Sequence, residues 1–223
     1  MLLLDESVMY KSTHLKDEPL SRFHDYDPHH LRALISDYPL AWVTSRNNEC
    51  ASVLPLIGVF NEAGTLTELI GHFALSNPLA DAFRKCSQTT VFFNGPHGYI
   101  SPSQAGRRNW GPTWNYAQAK ISGDVIVDSA LTPDAIERLV THVEKDMANP
   151  WRSAELGPRY DLLMQYIVGF RVEVSEVSAV FKLGQTEDRP TLDAIIFNLP
   201  DGELKDWMIQ FQVRENGKRG RHH

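Results

Sequence analysis

The sequence predicts a mainly β protein, a small antiparallel barrel with peripheral helices, and three observations carry that prediction. Short apolar stretches are joined by short polar turns, one late stretch alternates apolar and polar residues, and neither GxGxxG nor GxxxxGK[ST] occurs in the 223 residues. Short turns make antiparallel neighbours, and strict alternation makes a strand with one wet face. The absent glycine motifs leave a dinucleotide-binding or P-loop sheet without support.

Taken in chain order, the first element is a helix opened by Asp27-Pro28, a capping side chain followed by proline where its missing N–H costs nothing. Leu31, Leu34 and Ile35 share one face of it. Leu40 to Thr44 and Ala51 to Val59, joined by Arg46-Asn47-Asn48-Glu49, read as a hairpin; Leu66 to Phe73 follows Asn61-Glu62-Ala63-Gly64 in the same style. Asn77-Pro78 opens a second helix, carrying Leu79, Ala82 and Phe83. Thr89 to Phe93 reads as a buried strand, and Trp114 to Ile121 as its successor. Between them Asn94 to Tyr116, NGPHGYISPSQAGRRNWGPTWNY, reads as one irregular connection held at both ends, and such loops tend to carry function. Thr132-Pro133 caps a third helix bearing Ile136, Leu139, Val140 and Val143, and a fourth starts near Pro158 with Leu162, Leu163 and Tyr166. Val168, Phe170, Val172 and Val174 alternate with Gly169, Arg171, Glu173 and Ser175 as a sixth strand. Residues 188–211 form two amphipathic pieces broken at Pro200, a helical appendage on the barrel domain of residues 1–187; residues 212–223 read as a disordered basic tail.

A hydrophobic fraction of 42% is enough for a core and excludes disorder of the whole chain. The formal net charge of −6 opposes attraction to phosphate backbones, so direct DNA binding is not expected. The basic candidates are Arg107-Arg108 and the tail Lys218-Arg219-Gly220-Arg221, and no helix-turn-helix pattern stands out. Cys50 and Cys86 stand alone, without CxxC or metal-ligand spacing, which predicts no metal site and a reducing cytoplasm. Met1-Leu2-Leu3-Leu4 runs straight into Asp5-Glu6, too short for a signal-peptide core, and no run reaches membrane-spanning length.

Gly71 to Pro78 ends a strand and opens a helix, gathering backbone N–H groups beside the hydroxyl of Ser76 and the amide of Asn77, a geometry that favours an anion. His72 is placed to hydrogen-bond a ligand or a core partner near that strand's end. Trp114 and Tyr116 fall on one face of their strand and Asn115 on the other, rings that suit either core packing or a planar heterocycle. Arg107 and Arg108 suit an anion or an acidic substrate. No nucleophile–base spacing is recognisable, so any demanding chemistry is left to a cofactor.

PHGYISPS followed by PTWNY resembles the signature of the PaiB-type proteins, a family described as FMN-binding negative transcriptional regulators. Gly71 to Pro78 resembles that family's GHxARANP, with Leu75 where the family has arginine; Lys182-Leu183-Gly184-Gln185 resembles its KLSQ, with Gly184 for serine. Ala51 to Leu56, with Ser52 and Leu54, resembles the strand whose backbone edge runs along the flavin ring. The resemblance covers about residues 10–190 and implies an FMN-binding split β-barrel of the pyridoxamine phosphate oxidase-like kind, paired as a homodimer with FMN at the interface. It implies FMN contacts from Ser52, Leu54, His72, Ser76, Asn77, Trp114, Asn115, Tyr116, Lys182 and Gln185, and a flavin-dependent reductase or small-molecule sensor. Two other functions fit the same residues: a regulator that lowers transcription, and a scaffold that has lost its flavin.

Overall fold

The computed structural model of the protein describes residues 22–46 and 49–219, with side chains to Gln212. The chain's first residues, Asn47, Asn48 and the end of the basic run lie outside the described residues. Six strands, β1 (Leu40–Ser45), β2 (Ala51–Phe60), β3 (Leu66–Ala74), β4 (Gln88–Ile100), β5 (Thr113–Val127) and β6 (Ile167–Lys182), close into a barrel in the order β1-β2-β3-β6-β5-β4. Every pairing is antiparallel. The lumen is filled by Val43, Leu56, Phe73, Val91, Phe93, Ile121, Phe170 and Phe181, all buried.

Among the described residues six α-helices surround it: α1 (Pro28–Asp37), α2 (Pro78–Lys85), α3 (Thr132–Glu144), α4 (Arg159–Met164), α5 (Arg189–Asn198) and α6 (Glu203–Arg219). Asp27 and Asn77 cap α1 and α2 through their side chains, accepting from His29 N–H at 3.0 Å and Leu79 N–H at 3.0 Å. The expected Thr132 cap is different. Thr132 is the first residue of α3, and its hydroxyl accepts from Gly169 N–H on β6 at 2.9 Å, while Asp128 caps a 3-10 turn at Ser129–Leu131 just before it. A strand N–H left without a ladder partner takes the hydroxyl that the helix start would otherwise use. On α4, Leu162, Leu163 and the following Tyr166 are exposed, not a buried face. The helix of six residues is too short to turn a whole stripe inward.

Two further corrections concern a loop and the C-terminal tail. Asn94 to Ile100 is strand, not irregular connection: β4 continues to Ile100, and the true loop between β4 and β5 is residues 101–112. Gly95-Pro96 breaks the turn-rich reading because it sits in a β-bulge, between Asn94↔Gln118 and His97↔Tyr116, where β4 carries one residue more than β5. A side chain on Gly95 would come within 2.5 Å of Leu34 Cδ1, so glycine there lets α1 seat on the barrel. The expected tail from Gln212 is helical as far as Arg219, since no proline interrupts the helix that Trp207, Met208 and Phe211 anchor in the core. Trp207 and Phe211 stack on Phe181 with ring centroids 6.3 and 6.1 Å away, closing one end of the barrel.

Candidate functional site

The barrel's ladder is incomplete between β2 and β3. The β2–β3 ladder starts only at Leu56↔Gly71, so the edge of β2 from Ala51 to Pro55 has no ladder partner on that side, while the last residues of β3 pair with β6 alone. α2 begins beside this gap. Ser52 on β2 donates its hydroxyl to Asn77 Oδ1 at 3.1 Å, and the same oxygen caps α2. A strand edge, the Ser52 hydroxyl and a helix start converge here, and Ser76 is exposed on the turn between β3 and α2, one residue before Asn77. Leu54 points into the core, and only its backbone faces the gap. Leu75, also on the turn, is exposed and carries no charge.

His72 is not part of this convergence. It pairs with Gly169 on β6, and a side chain on Gly169 would strike Leu131 C and Thr132 N at 2.6 Å, so His72 shares the face covered by the start of α3. Burial holds its imidazole below the usual histidine range, and its Nδ1 has no hydrogen-bond partner among the described residues.

The second group lies at the far end of β6. Ala74 pairs with Ile167, the first residue of β6, and Tyr116 with Lys182, its last, so roughly 50 Å of strand contour separates the two groups within one chain. Trp114 is 54% exposed and Tyr99, opposite it on β4, 48%. Their rings meet edge to face at 6.1 Å, and His97 stacks on Trp114 at 6.4 Å. Beside them a groove of about 580 Å³ runs between the bulge of β4 and the α5–α6 hinge, lined by His97, Tyr99, Gln104, Leu204 and Lys205.

Several residues named from sequence make internal bonds. Asn115 is buried beneath α6, with its amide 3.5 Å from Met208 S, because the face of β5 opposite Trp114 is the lumen. Lys182 donates to Thr113 Oγ1. Gln185 accepts from Leu183 N–H at 2.8 Å and donates to the Phe181 carbonyl, folding back a turn that Gly184 makes at φ +91°. A side chain at that position would be strained and would come within 2.7 Å of Leu192 Cδ1. Arg107 is ion-paired with Asp188 at 3.1 Å and bonded to Thr191 Oγ1 at 3.2 Å, pinning the loop to α5, and Arg108 is left exposed.

Sequence reading missed His97 and Tyr99, whose period-two spacing was hidden inside the segment taken for a loop. It also missed a row on the outer sheet: Val53, Trp42 and Phe92 are register neighbours on β2, β1 and β4, and are 41%, 48% and 36% exposed, with Leu40 beside them. The signal was present in Leu-Ala-Trp-Val, which is apolar on both faces of β1.

Residues 20–176 match the family described as "Putative FMN-binding domain". The chain is 31% identical over 162 residues to the protein named "Protease synthase and sporulation protein PAI 2" of Bacillus subtilis strain 168, covering 72% of this chain and 77% of that one. The structure of the FAD and heme binding protein from Mycobacterium smegmatis superposes with a TM-score of 0.55 at 17% identity, over 80% of this chain and 81% of that one. The flavocytochrome Anf3 from Azotobacter vinelandii superposes with a TM-score of 0.55 at 15% identity, over 83% and 79%. At such identities these two structures share the barrel fold with this chain.

Proposed function

The chain belongs to the FMN-binding domain family as a PaiB-type member, its cofactor is FMN, and on that premise we propose that the flavin site is assembled from two copies of the chain. The observation that carries this reading is the separation of the two residue groups along β6, with the exposed row Val53–Trp42–Phe92 beside one of them. A symmetric pairing that covers the row sets the open edge of β2 in one protomer against the aromatic end of another. Standard interfaces bury their aromatic and apolar residues at the centre, and this row supplies them.

The residues suit the cofactor. Ser52, Ser76 and the start of α2 at Asn77 offer hydroxyl and amide groups for the phosphate, and the Ala51–Pro55 edge offers backbone groups for the polar rim of the ring. Trp114, Tyr99 and Tyr116 of the second copy offer faces for stacking, and its Arg108 a cation to replace the charge that Leu75 omits. Bound FMN supplies electron and hydride transfer; the protein positions it and leaves the groove beside His97 and Tyr99 as room for a small molecule to be reduced or sensed. Two free cysteines suit a reducing compartment, the cytoplasm. Among the described residues no helix is long and apolar enough to cross a membrane.

The visible absorption spectrum of the purified protein, before and after adding FMN, tests the cofactor reading. Flavin bands that shift on binding, saturating at one FMN per chain, are expected. A flavin spectrum unchanged by the protein would leave the flavin-free scaffold as the reading.

A further inference from the structure

Both cysteines of the chain line one cavity. Cys50 and Cys86 are unbridged and half-buried, and they face a space of about 440 Å³ bounded also by Ser45, Arg46, Pro78 and Lys85. Neither is placed loosely. Cys50 accepts from Ser45 N–H at 2.9 Å, and its own N–H donates to Ser45 Oγ at 3.0 Å, fixing it one residue before β2. Cys86 ends α2 by donating its N–H to the Ala82 carbonyl at 3.0 Å, two residues before β4, whose Thr89 pairs with Ser45. The two cysteines thus stand just before the two strands that flank Ser45, β2 and β4, and border the same cavity beside α2.

We propose that Cys50 and Cys86 form an oxidant-sensitive dithiol, a modification site that a peroxide converts to an intramolecular disulfide. One thiolate attacks a peroxide oxygen, breaking the O–O bond and giving a sulfenic acid and water. The second thiol attacks that sulfur, forms the S–S bond and releases a second water, so that two thiols and one peroxide give one disulfide and two waters. A bridge needs Cα atoms within roughly 7 Å. Closing the bridge therefore requires the exposed last turn of α2, Arg84 and Lys85, to move towards Cys50. α2 is already tied to β2 at its first turn by the Ser52–Asn77 hydrogen bond, so the bridge fastens its other end to the same strand. Oxidation thus stiffens the helix that opens the proposed FMN cradle, yet the bridge itself forms whether or not FMN binds there.

The test treats the reduced full-length protein with a slight excess of hydrogen peroxide, blocks remaining thiols, and maps the peptides by mass. The expected result is a cross-linked peptide joining Cys50 to Cys86 within one chain, lighter by two hydrogens and restored by dithiothreitol. The midpoint of thermal unfolding then rises in the wild type and stays put in Cys50→Ser and in Cys86→Ser. Independent oxidation of each thiol to sulfinic acid, or bridges only between chains, overturns the proposal.

Discussion

At the scale of single residues, the proposed phosphate cradle is carried by the turn between β3 and α2. Against the motif it resembles, Asn77 remains, Ser76 adds a hydroxyl where the motif has alanine, and Leu75 omits a positive charge that, in the proposed two-copy site, Arg108 of the other copy restores. Changing Ser76 and Asn77 together to alanine is expected to weaken FMN binding by about 1–3 kcal/mol, the usual loss for hydrogen bonds to a charged group. Leu75→Arg is expected to strengthen it by a similar amount, and equal affinities across the three proteins in an FMN titration would remove this cradle. His72 carries a separate prediction. Burial lowers its folded pKa, so below the ordinary value of about 6.5 the unfolded chain takes up a proton that the folded chain refuses. Its contribution to stability is intact above about pH 6.5 and is lost as pH falls from there through the lowered folded value. Denaturant midpoints measured from pH 7.5 to 5 should fall less for His72→Gln than for the wild type.

At the scale of elements, caps and hairpins were legible because their chemistry is local. Asp27-Pro28 and Asn77-Pro78 cap helices through one side chain and one neighbouring N–H, which sequence spacing records. What sequence did not record was long-range demand. Thr132 serves β6, not its own helix, because Gly169 N–H needs an acceptor across 37 positions. Thr132→Val, nearly isosteric, leaves that buried N–H without a partner and is expected to cost about 1–3 kcal/mol in a chemical denaturation curve; an unchanged midpoint would show that water serves as well. The bulge at Gly95-Pro96 misled in the same way, since glycine and proline mark turns locally but here accommodate Leu34 of α1. Of the candidate site, Ser52, Ser76, Asn77, Trp114 and Tyr116 were readable from motif and periodicity. That Asn115, Lys182, Gln185 and Arg107 are spent on internal bonds depends on packing by α5 and α6, which no local pattern reveals.

At the scale of the whole molecule, charge and surface make two statements. A net charge of −6 predicts that at physiological salt the protein binds duplex DNA no tighter than a non-specific binder, about 10⁻⁴ to 10⁻⁶ M. Nanomolar, sequence-dependent retention of a promoter fragment in a mobility-shift assay would instead favour a direct regulator. The surface row Val53–Trp42–Phe92 predicts association, and light scattering at micromolar concentration should return about twice the 25.3 kDa chain mass. Placing a charge at the centre of that row, as Trp42→Asp, should give a folded monomer, because the residue faces outward and its loss leaves the lumen intact. FMN titration of that monomer, its fold checked by circular dichroism, tests the two-copy site most directly. The account predicts that flavin affinity falls at least a hundredfold with the loss of the second copy; a monomer that binds FMN as tightly as the wild type would contradict it.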